Sequence, residues 1–496
     1  MTSPETEKPK KRKGWHFMKK RTSDRNRIKR ILVSASAVLA IASWAHAEEQ
    51  DTTVGQYRFL EVPKAGEALM PFEFHGYARA GWGINGKGGD QEQFWVPMAP
   101  GAFRLGNEVG SWGDVSFAKN WGGGAQPWVS MRTGLNFSTQ SNLYWGDGSV
   151  RPNQAYVMFG NITEAYPDLK LWAGQRGYLW ANIHIAQMML FDQGGFGGGM
   201  EDLNLCFGKL NVNYVGASLD NFNLVGSSSS YPGTERGRLA KHTLDVHLHD
   251  VDVPLGKGLF YVGFGYIPGG ELVKYDKERG YVPYEPSEKM KDGLGLSVGV
   301  MHTRYNFFKG THKFLLQYAR GININMRWMS NNQDDLPNPF NRNAFSANTA
   351  WRFRVADVFD MQPSECLSLM ASAVYDYIYR GGGNAVHWTS LGVSPIWHLT
   401  EIFGIAFETG FEYIDRTDPS DANMNYAGSM TKFAIAPQLT PTNNYWSRPI
   451  IRAYLAYHMW SDGLTKSQVV ADRIGGVAYG HSNNGLSAGL QAEAWW

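Results

Sequence analysis

The chain has 496 residues and a formal net charge of +2, with 57 glycines and 14% aromatic residues. Its mean hydropathy is negative, and no apolar run reaches the roughly 20 residues that a membrane-spanning helix needs. This composition excludes a helical membrane protein. It leaves a large soluble β-protein or a transmembrane β-barrel, in which only alternate residues face lipid.

Residues 1–47 are predicted to be a signal peptide. Basic residues at 19–30 precede the apolar run 31–44, and Ala45-His46-Ala47 has the small-x-small pattern of a signal-peptidase site. The apolar run is too short for a spanning helix, so a permanent anchor is the less favoured alternative. Residues 1–17, ahead of Met18, reflect either a start codon assigned too far upstream or a long basic region of the signal peptide.

Removal of this segment changes the charge balance. Residues 1–47 contain 12 of the 47 Lys and Arg but only 3 of the 45 Asp and Glu, which leaves a net charge near −7 on the mature chain. The basic character therefore belongs to export, and no nucleic-acid partner is expected. Cys206 and Cys366 could form a disulfide in an oxidising compartment, but two buried small side chains are the favoured interpretation. We expect no metal site and no cofactor.

Period-two alternation after residue 71 predicts β-strands. In the last strand, one apolar face and one small or polar face alternate up to the terminal Trp496. The same alternation occurs in residues 242–250, 260–266, 312–319 and 446–460, and in the last of these Trp446 and Arg448 fall on the polar face. Charges on such a face would be costly in a dry core. A water-filled lumen removes this cost, so the pattern favours a barrel over a sandwich.

Segments rich in Gly, Asn, Asp, Ser and Pro separate the predicted strands. They are predicted to be loops, and they lie at residues 86–90, 194–199, 226–232, 331–341 and 380–384. The glycine run at 194–199 has no phosphate-binding fingerprint. Residues 48–70 are polar and are predicted to be a short periplasmic lead-in. The barrel itself is assigned to residues 71–496.

Six ordered blocks of sequence resemble the maltoporin family. They are FEFHGYARAG at 72–81, RLGNE at 104–108, WAGQR at 172–176, FGKL at 207–210, WSRP at 446–449 and the paired tryptophans at 495–496. The resemblance implies an all-β fold: a transmembrane antiparallel β-barrel of 18 strands, with an inward-folded constriction loop. It also implies a homotrimer in the lipid of a Gram-negative-type outer membrane, which lets sugars, of the maltodextrin type, diffuse passively.

The resemblance further implies an aromatic slide along the pore. The positions that match are Tyr77, Trp112, Trp145, Trp446 and Trp495. Sugars have apolar faces that pack on flat rings, and a rim of hydroxyls that charged groups can hydrogen-bond. One slide position is changed, because Thr311 stands where the family has a phenylalanine.

The resemblance also implies a polar track beside the slide, whose charged positions match Arg79, Arg104 and Asp114. A further arginine position of the family aligns with Asn153, and Arg151 on the same side is expected to compensate.

The constriction departs most from the family pattern. Its charged positions fall on Trp180, Asn182 and Gln187, and its central tyrosine falls on Met189. Neutral groups replace charges and a flexible thioether replaces a ring, so the preferred sugar stays open.

Two other functions remain open from the sequence. A general diffusion porin could keep the frame and lose sugar selectivity. An exported soluble protein that binds or hydrolyses carbohydrate is the second alternative, but a glycosidase needs two carboxylates roughly 5–10 Å apart. No acid in this sequence stands in a recognisable catalytic setting, so we expect no enzyme.

Overall fold

The computed structural model describes residues 69–139, 148–218, 233–234, 237–238, 240–276, 278–283, 289–290, 292–326, 349–419, 421–465, 474–480 and 482–496. The predicted signal peptide, residues 48–68 of the lead-in, the predicted loops at 226–232 and 331–341, and Trp145 lie outside the described residues. No helix within these ranges has the length and apolar character needed to cross a bilayer.

Eighteen long strands form one antiparallel sheet, and five short strands lie outside it. The first seven long strands are β1 (Phe72–Asn85), β2 (Trp112–Gly122), β3 (Trp128–Thr139), β4 (Gly148–Gly160), β5 (Lys170–Ile183), β6 (Met188–Asn204) and β7 (Lys209–Ser218). The next five are β10 (Ala240–Val253), β11 (Gly256–Ile267), β15 (Gly293–Phe307), β16 (Gly310–Gly321) and β17 (Trp351–Ser364). The last six are β18 (Leu367–Gly381), β19 (Asn384–His398), β20 (Phe403–Thr417), β21 (Tyr426–Leu439), β22 (Ile450–Trp460) and β23 (Asn484–Trp495). The short strands are β8 (Gly233–Thr234), β9 (Gly237–Arg238), β12 (Gly270–Asp276), β13 (Gly280–Pro283) and β14 (Lys289–Met290).

The sheet closes because β1 pairs with β23 as well as with β2. Closure leaves no strand edge unpaired, which a sheet in a bilayer requires. Exposed apolar side chains cover the outer face, and the inner face carries the polar side chains together with some buried apolar ones. On β20, Phe407 and Phe411 are 40% and 39% exposed, whereas Glu408 and Glu412 are 4% and 2% exposed. The predicted 18-stranded transmembrane barrel is confirmed.

The prediction of a loop at 194–199 is wrong, because these glycines lie inside β6. They permit unusually close packing between strands. A Cβ at Gly197 would lie 2.0 Å from the carbonyl oxygen of Tyr214, and one at Gly199 would lie 1.9 Å from the side-chain oxygen of Asn213. The glycines are therefore a requirement of strand packing here and not a sign of a turn.

Two further expectations differ from the structure. Trp446 and Arg448 lie in the connection between β21 and β22, because β22 begins only after Pro449, which has no N–H to donate to the ladder. Cys206 and Cys366 are both exposed and form no disulfide. Each lies in a tight turn, one between β6 and β7 and the other between β17 and β18. Their expected burial is wrong.

Two segments fold into the barrel. The first is the tip of the β5–β6 hairpin, residues 180–192, which is the predicted inward-folded loop. The second, which we call the inner segment, is residues 91–108 between β1 and β2. They are joined by backbone hydrogen bonds: the N–H of Ala102 donates to Ala186 O (2.9 Å) and that of Arg104 to Ile185 O (3.0 Å).

Phe103 fixes the inner segment to the barrel wall. Its ring lies against Gly392 on β19 and Gly410 on β20, where added Cβ atoms would come within 2.0 Å and 2.1 Å of it. The ammonium of Lys432 donates to Phe103 O (2.9 Å), and Glu408 accepts from the N–H of Leu105 (3.0 Å). The inner segment is therefore held by packing of the Phe103 ring on two glycines and by hydrogen bonds to Lys432 and Glu408.

Part of the interior is a packed apolar core. Inward-facing side chains of β17–β21 contact the two inward segments, and they include Val358, Met370, Val374, Ile378, Trp388, Ile396, Ile414 and Met430. The hairpin contributes Ile183, Ile185 and Met188, each at most 1% exposed. The alternation predicts a polar lumen throughout, and this prediction is wrong beside β17–β21. There the inward segments present apolar side chains, against which the strands pack their own.

We expect Gly410→Ala to destabilise the barrel by about 1–3 kcal/mol, because the new methyl group overpacks the Phe103 site. The measurement is the temperature at which the folded form converts to the unfolded band on an electrophoresis gel. Gly216→Ala is the matched control, since its Cβ would meet its nearest heavy atom at 3.7 Å, an ordinary contact. Equal conversion temperatures for the two variants would contradict this account of the inner segment.

Candidate functional site

Four predicted aromatic residues meet at the junction of the first and last strands. Tyr77 on β1 is paired with Trp495 on β23, and Trp112 on β2 is paired with Arg79, two residues further along β1. Trp446 reaches the same place from the β21–β22 connection. Since β1 and β23 are hydrogen-bonded neighbours only after closure, barrel formation itself assembles this group.

The four rings form a continuous series, which we call the ring row. Ring centroids are 5.1 Å apart for Trp112 and Tyr77, 6.4 Å for Tyr77 and Trp495, and 6.2 Å for Trp495 and Trp446. These separations are within the range of aromatic contacts. Tyr77 is 2% exposed, whereas the three tryptophans are partly exposed. Accessible ring surface thus comes from the tryptophans, with Tyr77 supporting them.

Trp446 is held firmly. Its indole N–H donates to Asp360 on β17, and its backbone N–H donates to Asn444 Oδ1 (2.7 Å). The ring of His184, at the hairpin tip, lies 5.0 Å from it. The constriction hairpin therefore reaches one end of the ring row.

A cluster of arginines and glutamates lies beside the rings. Glu493 accepts from Arg104 (2.9 Å), Arg448 (2.7 Å) and Arg452 (2.6 Å). Arg104 also contacts Glu108 (2.7 Å), and Arg79 donates to the same carboxylate. We call these six residues the charge cluster. Its four cations and two anions leave an excess of two positive charges.

The charge cluster and the ring row are bound to each other. The Tyr77 hydroxyl donates to Glu493 (2.8 Å) and accepts from Arg104 (3.2 Å). The guanidinium carbon of Arg448 lies 4.3 Å above the Trp495 ring, a cation–π arrangement. Rings and charges therefore form one connected group, in which the tryptophans supply most of the accessible area and the side chains of the charge cluster are 0–12% exposed.

Arg104 lowers the pKa of two ionisable groups of the inward segments. Burial opposes ionisation of Glu108, but Arg104 and Arg79 hold the pKa of this carboxyl below its usual range. Burial, and then Arg104, lower the pKa of His184 well below its usual range. Glu108 is therefore ionised and His184 neutral at pH 7.

The remaining predicted track residues lie on β2 and β4. Asp114 accepts from Asn136 (3.0 Å) and from Asn153 (2.6 Å), so it is held by amides and not by an arginine. Arg151 is exposed and is paired on the ladder with Asn136. Arg151 and Asn153 are expected to share a face, but a β-bulge at Asn153 shifts the register between them. Asn153 donates to Asp114 directly, and Arg151 is paired with Asn136, which also donates to Asp114.

The four predicted constriction residues all lie on the inward hairpin. Trp180 is paired with Asp192, and Asn182 with Met189. Met189 O accepts from Arg354 of β17 (3.2 Å). Gln187 is exposed at the tip of the hairpin. The hairpin tip thus presents no charged side chain at these four positions.

A polar cavity of about 30 Å³ lies where the hairpin, the inner segment and the wall meet. Its lining includes Arg104, His184, Tyr445, Arg448 and Arg452. It has room for ordered water but not for a sugar. Among the described residues, no group of three or more His, Cys, Asp or Glu is placed to hold a metal ion.

Comparison with known proteins agrees with this geometry. A family model described as LamB porin matches residues 72–496. The chain belongs to the LamB porin family. As a LamB porin it is located in the outer membrane, and the resemblance to maltoporins in the sequence is confirmed.

Solved outer-membrane proteins show weaker likeness to this LamB porin. OccD3 (OpdP) of Pseudomonas aeruginosa has 8% identity and a TM-score of 0.44, over 91% of this chain and 99% of that one. A loop L8 deletion mutant of OmpT from Vibrio cholerae has 8% identity and a TM-score of 0.36, over 86% and 99%. OprB of Pseudomonas putida has 10% identity and a TM-score of 0.33, over 86% and 94%.

Several residues of this LamB porin site carried no predicted role. Glu493 is identified by its contact with Arg104, 389 positions away, and Tyr445 by its ring contact with His184. Arg452 is identified by its hydrogen bond to Glu493 on the neighbouring strand. Glu108 and Arg448 stand inside the matched sequence blocks RLGNE and WSRP, so those blocks were a signal for them. His184 lies between predicted constriction positions, but its contact with Trp446 depends on how the hairpin folds inward.

We expect Glu493→Gln to increase the chloride preference of the channel roughly twofold, because three arginines lose their shared carboxylate and the positive field of the pore rises. The measurement is the reversal potential in a potassium chloride gradient across a planar bilayer. Asp252→Asn, whose side chain is 88% exposed near the end of β10, serves as the control. An unchanged reversal potential in Glu493→Gln would show that the cluster does not face the ion path.

Proposed function

We propose that this LamB porin is a passive channel for oligosaccharides, of the maltodextrin type, in which the ring row is a sliding surface. The observation that carries the proposal is the unbroken contact of Trp112, Tyr77, Trp495 and Trp446. A sugar chain can pack its apolar faces on successive rings while its hydroxyls exchange hydrogen bonds with the charge cluster. Several weak contacts in series suit transport, because bound solute must also leave.

Trp145 is also proposed as part of this slide on the family resemblance alone. Arg79, Arg104, Asp114 and Arg151 are proposed as the polar track. Of these, Arg104 has the strongest support, because it touches Tyr77, Glu108 and Glu493 at once. We further propose that the channel is a homotrimer without enzymatic activity. Migration of the unheated protein at three times the monomer mass, converted to monomer by boiling, is the test of assembly.

A general diffusion porin is the second candidate. It is favoured by the hairpin tip, where Asn182, Gln187 and Met189 offer neutral side chains to a passing solute. The two candidates differ in one measurable property. A sugar channel is blocked transiently by oligosaccharides that bind inside it, whereas an unselective pore shows only a reduction due to viscosity.

We expect Trp446→Ala to weaken block of the ionic current by maltohexaose roughly 2- to 10-fold, because one aromatic contact contributes about 0.5–1.5 kcal/mol. The measurement is the half-blocking sugar concentration in a planar bilayer. Trp82→Ala is the matched control, since Trp82 lies on β1, faces outward and is 57% exposed.

Wild-type protein that conducts ions but is blocked by no oligosaccharide would overturn the proposal and favour the general porin. Equal weakening by Trp446→Ala and Trp82→Ala would remove the ring row from the path of the sugar. Liposome swelling with a series of mono- and oligosaccharides then shows which sizes pass.

A further inference from the structure

The ring row ends at Trp446, and the residues beyond it are polar. Thr311 on β16 is paired directly with Asp360 on β17, and Asp360 is the residue that accepts from the Trp446 indole. Lys313 lies one inward position further along β16, paired with Val358. All lie near the ends of their strands, close to the short turn at 308–309. At this end of the ring row, the next side chains are therefore the hydroxyl of Thr311, the carboxylate of Asp360 and the ammonium of Lys313.

The geometry of this group is fixed by the turn that carries Trp446. The side chain of Gln362 donates to Asn443 O (2.6 Å), and the side chain of Asn443 donates to Glu365 O (3.0 Å). These bonds fasten the β21–β22 connection to the end of β17. The position of Trp446 relative to Asp360 is therefore held by hydrogen bonds within the protein.

Lys313 has unused hydrogen-bonding capacity. Its ammonium interacts with the charge of Asp360, but makes no hydrogen bond and no ion pair within 4.0 Å among the residues that the structure describes. An ammonium has three N–H donors, and an inward-facing one needs partners. A solute leaving the ring row would meet these donors beside the Asp360 acceptor.

We propose that Thr311, Lys313 and Asp360 form an exit subsite that binds the hydroxyl edge of the leading unit of an uncharged oligosaccharide. This rests on the proposed sugar-channel function. A donor and an acceptor on adjacent strands suit neighbouring hydroxyls of a sugar ring, one of which accepts while the other donates. Because one cation and one anion cancel, the subsite favours an uncharged ligand over a carboxylated one. The threonine is too small to offer a stacking face.

The subsite also predicts how its charge balance can be changed. Asp360→Asn keeps an oxygen that accepts from Trp446 but leaves the Lys313 charge uncompensated. The same position then favours a negatively charged sugar. Lys313→Met removes the three donors with little change in side-chain length, and Thr311→Val removes only the hydroxyl.

The experiment measures single-molecule residence times in planar bilayers with two probes of equal length, maltohexaose and hexagalacturonate. Lys313→Met is expected to shorten maltohexaose residence roughly fivefold, the value of about one hydrogen bond, and Thr311→Val to shorten it less. Asp360→Asn is expected to lengthen hexagalacturonate residence. Lys257→Met, which removes an exposed lysine at the start of β11, is the control, and heat-modifiable migration verifies folding of each variant.

Each outcome separates the subsite from the channel function. If Lys313→Met leaves maltohexaose residence unchanged while Trp446→Ala shortens it, the subsite is wrong and the sugar channel stands. If Lys313→Met shortens hexagalacturonate residence more than that of maltohexaose, the group is an anion site and the assignment to uncharged sugar is overturned. If the wild-type channel is blocked by neither probe, the proposed function fails and the subsite with it.

Discussion

The structure depends on closure between β1 and β23. In a bilayer every strand N–H and C=O must find a partner within the protein, so the first and last strands have to pair. The terminal Trp496 completes this ladder by exchanging two backbone hydrogen bonds with Gly76, at 3.0 and 3.1 Å. A side chain at Gly76 would collide with the Trp496 ring, because a Cβ there would lie 2.4 Å from it. With Trp496 in this place, only a glycine fits opposite it at position 76.

The candidate site is a product of that closure. It pairs Tyr77 with Trp495 and Arg79 with Glu493, and so brings an aromatic contact and opposite charges to one seam. The buried charges of the seam are tolerable because they are mutually hydrogen-bonded. Elsewhere in the interior, apolar side chains of the barrel wall pack on the inward segments. The interior therefore combines apolar packing and buried ion pairs beside β17–β21, such as that of Lys432 with Glu408, with a polar and aromatic region at the seam.

The sequence predicted the repeating part of this fold well. Alternation identifies strands because each has one lipid face and one interior face, and the aromatic positions Tyr77, Trp446 and Trp495 were found through short matched blocks. It could not identify Tyr77 and Arg104 as partners of Glu493, since contacts over some four hundred residues have no local signal. It predicted a loop at 194–199, which is wrong, and it contained no signal for the inward fold of the inner segment. Glycines that permit close strand packing have the same composition as a loop, and Phe103 shows its role only beside Gly392 and Gly410.

The packing of Phe103 constrains the order in which parts of the barrel assemble. The inner segment comes directly after the first strand, but both glycines that receive it, and Lys432 and Glu408 that bind it, belong to β19–β21. The inner segment can reach its final position only after the carboxyl-terminal third of the chain has been inserted. The part of the narrowing that the inner segment makes therefore forms only once these strands are in place. The Phe103 ring also requires glycine at both 392 and 410, because a Cβ at either position would overlap it.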